Sequence, residues 1–68
     1  MANYFYDLAG YSLKYAMEHA EQDSFEDKRI ALKLFKDAKA KYSLAMHYGH
    51  VDACDKYFEM FDLLDKYK

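Results

Sequence analysis

The sequence predicts an all-α chain, folded as a single compact antiparallel three-helix bundle. Three observations predict it. The 68 residues contain no Pro and only two Gly while 53% are hydrophobic, a balance that excludes a disordered, collagenous or turn-rich β chain. Apolar residues recur every three or four positions through three segments, the signature of amphipathic helices. Only two places, Gln22-Asp23-Ser24 and Gly49, carry the residues that end one helix and start another. One domain spans residues 1–68. A chain of this size exposes roughly 4,500 Å² when folded against about 11,700 Å² unfolded, so its core is thin.

The first helix is expected over residues 4–22, with Asn3 as N-cap. Phe5, Leu8, Ala9, Ser12, Leu13, Ala16, Met17 and Ala20 fall on one side of it, and Tyr4, Tyr11 and Tyr15 line one edge of that stripe near Asp7 and Glu18. Gly10, in the interior, costs about 1 kcal/mol relative to Ala and is read as a close helix contact.

The second helix is expected over residues 25–48. Ser24-x-x-Asp27 has the form of a capping box, in which a hydroxyl and a carboxylate satisfy the free amides of a helix start. Its apolar face comprises Ile30, Ala31, Leu34, Phe35, Ala38, Tyr42, Ala45 and Met46, opposite Arg29, Lys33, Lys36, Ser43 and His47. Gly49 ends it, because a left-handed cap costs Gly no Cβ clash. The third helix, residues 51–66, is expected to bury Cys54, Tyr57, Phe58, Phe61 and Leu64 and to expose a stripe of Asp52, Asp55, Glu59 and Asp62.

The net charge of -2 conceals a partition. Residues 1–27 carry six acids and one base, residues 28–41 six bases and one acid, and residues 42–68 five acids and three bases. The overall balance argues against a dedicated nucleic-acid binder, although Arg29, Lys33, Lys36 and Lys39 form a basic face that could meet phosphates or an acidic partner. No apolar run approaches the roughly 18 residues of a membrane span. With a single cysteine and no basic-then-apolar leader, the chain is expected in the cytoplasm of a bacterium or a host, with no membrane partner.

The sequence shows no catalytic signature and is read as non-enzymatic, with no cofactor. His47, His50 and Cys54, with Asp52 nearby, are the nearest approach to a zinc set, but Gly49 interrupts the spacing. Cys54 is therefore expected as a small buried hydrophobe, with solvent-facing histidines and no metal. Cys54 with His50 lacks the orienting acid and oxyanion donors of a nucleophilic site.

Eight Tyr and five Phe exceed what a thin core can bury, and Tyr is enriched at interface hot spots. The chain is expected to bind another protein or peptide through Tyr4, Tyr11 and Tyr15 or through Asp52, Asp55, Glu59 and Asp62. An alternative of the same physics is a stand-alone phage or mobile-element inhibitor that blocks a host protein, by acidic mimicry for example. A homodimer is a further alternative, because Leu32 and Leu63 fall outside the predicted core faces.

Ala31-x-x-x-Phe35-x-x-Ala38-x-x-x-Tyr42-x-x-Ala45, eight residues after Asp23 and preceded by an Ala-rich helix, resembles the microtubule-interacting and trafficking domain, a three-helix relative of tetratricopeptide hairpins. The resemblance implies that Ala16 and Ala20 face Ala31, Ala38 and Ala45, with Phe35 and Tyr42 at the flanks. It further implies a peptide groove beside the third helix, with Cys54, Tyr57, Phe58 and Phe61 near its floor and the acids on its rim.

Overall fold

A computed structural model of the protein describes residues 1–67 and places helices α1 at Ala2–Ala20, α2 at Phe25–His47 and α3 at Ala53–Lys66. The three form an all-α, antiparallel three-helix bundle. Helix α2 packs against both neighbours, whereas α1 and α3 scarcely touch each other. The overall extents, 37 × 19 × 13 Å, show the result: a flattened bundle with α2 in the middle. Its accessible surface, 4722 Å², is close to that expected for the chain length.

Burial follows a repeat of four and three residues on every helix. On α2 it runs through Ala31, Phe35, Ala38, Tyr42 and Ala45, all buried. On α1 the matching seam is Phe5, Ala9, Ser12 and Ala16, and on α3 it is Ala53, Tyr57, Met60, Leu64 and Tyr67. A 4–3 repeat keeps one stripe pointed at the neighbouring helix over several turns. Five of the fully buried positions on α1 and α2 are alanines, which brings the two backbones close together. Phe35 and Tyr42 lie at the centre of the core rather than at its flanks, because α2 has a helix on each side.

The helix ends deviate from expectation, first in α1, which spans Ala2–Ala20 rather than 4–22. Met1, not Asn3, occupies the N-cap position of α1, and no side chain caps that end. Ser24 is the N-cap of α2, in extended backbone, but the capping box does not form. Asp27 instead meets His19 Nδ1 at 2.9 Å, tying the end of α1 to the start of α2 across the turn. Helix α3 begins at Ala53 rather than at 51, behind a short turn.

Gly49 behaves as the sequence predicts. Its φ is +93°, its amide donates to the Met46 carbonyl at 2.9 Å, and the His50 amide donates to the Ala45 carbonyl at 2.9 Å. That pair of bonds is a Schellman motif, which satisfies the last carbonyls of α2 and turns the chain into α3. Gly10 does not mark a close contact: a Cβ placed there would meet nothing within 4 Å.

Candidate interaction surfaces

Tyr4, Tyr11 and Tyr15 project from one side of α1, 59%, 60% and 51% exposed. The positions follow one another at seven and four residues, so the rings form a row along the helix. Packing positions that row. Ser12, one residue from Tyr11, lies buried against α2, where its hydroxyl donates to Asp37 Oδ2 at 2.6 Å. Lys41 Nζ donates to the same oxygen at 2.6 Å. The lysine and then the serine hold the Asp37 carboxyl below its ordinary value, against the opposing pull of partial burial. Sequence periodicity placed Ser12 on the core side but gave no sign of the Asp37 partner, which belongs to another helix.

Aromatic contacts extend from the amino-terminal end of the row. Tyr4 meets Phe5 edge-on at 5.4 Å, and Phe5 stacks on Tyr48 at 5.6 Å. On another side of α1, Tyr6 contacts Tyr42 edge-on and stacks on His50 with ring centres 3.9 Å apart. Burial pushes the Tyr42 phenol above its ordinary value, with Tyr6 and Glu59 adding to the shift.

Asp52, Asp55, Glu59 and Asp62 are all exposed, as the stripe requires. Asp52 also stands at the N-cap position of α3 without a side-chain capping bond, and its backbone amide donates to His50 Nδ1 at 3.2 Å. Glu59 pairs with Lys56 at 3.5 Å.

Arg29, Lys33 and Lys36 are exposed on the outward side of α2, where Arg29 and Lys33 share a shallow hollow with Glu26 and Ile30. Lys39 departs from this face. It is half-buried, and its ammonium lies 4.1 Å from the centre of the Phe61 ring on α3, a cation–π contact.

The groove between α2 and α3 differs from the one the family resemblance implies. Lys36, Lys39, Ala40, Ser43, Tyr57 and Leu64 line it, and Leu32 and Asp65 continue it toward the end of α3. The rim on the α2 side is basic, and the acidic stripe faces elsewhere. The cause is a rotation of α3 relative to expectation. Ala53 and Met60 pack on α2, leaving Phe58 59% and Phe61 41% exposed and Cys54 half-buried instead of in the core. Ile30 is likewise exposed, while Leu63, expected outside the core, packs against it and Leu32 is half-buried.

His47, His50 and Cys54 do not converge. Among the described residues no group of three His, Cys, Asp or Glu side chains is placed to hold a metal ion. His50 is engaged by Tyr6 and the Asp52 amide rather than facing solvent freely. No helix is long and apolar enough to cross a membrane among the described residues. Set beside known protein families, curated proteins and solved structures, the chain matches none.

Proposed function

We propose that the protein is a non-enzymatic interaction module that binds a partner protein through the tyrosine row of α1. One observation carries this reading: Tyr4, Tyr11 and Tyr15 are each more than half exposed on a helix whose opposite side is fixed by packing. Tyrosine combines a large apolar ring, a hydroxyl and few rotatable bonds, so a rigid row of three offers binding area at low ordering cost. Asp7, Lys14 and Glu18, all exposed on the same helix, supply charge that would set orientation and encounter rate.

Affinity capture from a lysate of the source cell, with three baits, tests the proposal. The baits are the wild type, Tyr11→Ala/Tyr15→Ala, and a variant with Asp52, Asp55, Glu59 and Asp62 changed to Asn or Gln. A partner retained by the wild type and the acid-neutralised bait, but lost from the tyrosine double variant, is the expected result. Equal retention by the tyrosine variant overturns it.

A second reading rests on the outward side of α2. Arg29, Lys33 and Lys36 are exposed there and make no ion pair among the described residues. Such a face suits an anionic partner such as nucleic acid. Titration with single- and double-stranded DNA and RNA at low salt decides it: absence of binding removes this reading.

A further inference from the structure

Helix α3 carries two apolar seams, and the bundle uses one. Ala53, Tyr57, Met60, Leu64 and Tyr67 pack toward α2. Cys54, Phe58 and Phe61 follow the same four-and-three spacing one residue along, and they form a second stripe outside the core seam, with Phe58 and Phe61 exposed and Lys39 of α2 reaching over the Phe61 ring. Phe58 and Phe61 lie 6.3 Å apart and both contact Tyr57, which makes one continuous aromatic surface with the half-buried Cys54 beside it. Exposed rings grouped on one helix face are a feature of association sites rather than of ordinary monomer surface.

The charges beside this stripe indicate what covers it. On one side stand Asp55 and Asp62 of α3, both exposed. On the other stand Lys36 and Lys39 of α2, with Lys39 over the Phe61 ring. A two-fold axis running parallel to α3 exchanges left and right across an interface, so it brings the acidic side of one copy opposite the basic side of the other. An axis perpendicular to α3 would instead set acids against acids. We propose that the Cys54–Phe58–Phe61 stripe is the interface of a homodimer in which the two α3 helices run parallel, flanked by Asp55 and Asp62 against the partner's Lys36 and Lys39.

The interface is isologous, so residues near the axis meet their own copies. Phe58 and Phe61 pack against the same rings of the partner, as in the seam of a parallel coiled coil. Cys54 approaches its counterpart in the second copy. The stripe ends at Asp65, which lies beside Lys36 at the edge of the α2–α3 groove. This interface leaves the tyrosine row of α1 uncovered and is independent of the partner proposed for it.

Sedimentation equilibrium across a wide concentration range, combined with a short bis-maleimide on the native Cys54, tests the proposal. The wild type is expected to move from monomer toward dimer mass and to form a Cys54-linked dimer. Phe58→Glu, a change at an exposed position, is expected to weaken dimerisation at least tenfold and reduce linking in proportion, while circular dichroism shows the fold retained. Asp62→Lys is expected to weaken dimerisation, and Asp62→Lys combined with Lys39→Asp to restore part of it. A monomer mass at all concentrations overturns the proposal. So does a dimer in which Cys54 stays unlinked, or one indifferent to Phe58→Glu.

Discussion

Ser12, Asp37 and Lys41 show how much one polar contact contributes to a thin core. The serine is a buried polar residue in the seam, and its bond to Asp37 ties α1 to α2. Ser12→Ala should cost about 1 kcal/mol, since a typical net hydrogen bond contributes about 0.5–1.5 kcal/mol, and urea denaturation would measure it. Asp37 adds a pH dependence. Its carboxyl is held below the ordinary value in the folded state, so its stabilising contribution is complete above the unfolded pKa of about 3.9. That contribution is lost as pH falls through the lower folded value, and Asp37→Asn should flatten the acid limb of the stability curve. Tyr42 acts at the other extreme. Its raised phenol contributes stability below pH about 10 that is lost as pH rises through the folded value, and Tyr42→Phe should flatten the alkaline limb.

The two glycines separate equally clearly. Gly49→Ala forces a Cβ into the left-handed region at φ +93° and should destabilise by about 1–2 kcal/mol. Gly10→Ala meets open space inside a helix and should stabilise by about 0.5–1 kcal/mol. Thermal melts of the two variants should therefore shift in opposite directions. A loss of stability in Gly10→Ala would mean that something unseen approaches α1 at that point.

At the level of elements, α1 and α2 are legible in the sequence because each has one dominant apolar stripe. The expected bounds of α2, 25–48, differ from Phe25–His47 by a single residue. The termini read less well: Asn3 and the Ser24–Asp27 pair have the composition of caps, but capping depends on geometry, and Asp27 finds His19 instead. Helix α3 misleads for a physical reason. The face expected to pack, Cys54, Tyr57, Phe58, Phe61 and Leu64, straddles two stripes: Tyr57 and Leu64 do pack, but beside Ala53 and Met60, and the small side chain of Ala53 permits close approach to α2 while Cys54, Phe58 and Phe61 turn outward. Hydrophobicity alone does not distinguish a stripe that fits the neighbour from one that is merely apolar. Met60→Ala should cost about 2–5 kcal/mol as a buried deletion, whereas Phe58→Ala should cost the monomer well under 1 kcal/mol. Denaturant titration at low protein concentration, where any dimer dissociates, distinguishes the two seams.

Across the whole molecule, the central position of α2 explains both the stability and the available surface. One helix supplies the core contacts of both neighbours, so α1 and α3 each pack along one side and leave the other open. The tyrosine row was legible in the sequence because its spacing repeats a helix face. The Lys39–Phe61 contact and the basic rim of the α2–α3 groove were not, because they depend on how α3 rotates against α2.

The reading of α1 as the partner-binding surface is tested most directly by titrating the captured partner against wild type and variants at two salt concentrations. An aromatic interface predicts at least a tenfold loss of affinity for Tyr11→Ala/Tyr15→Ala, little change on neutralising Asp52, Asp55, Glu59 and Asp62, and a shallow salt dependence. Full affinity in the tyrosine double variant, with a steep salt dependence and loss on acid neutralisation, would contradict it and assign binding to α3.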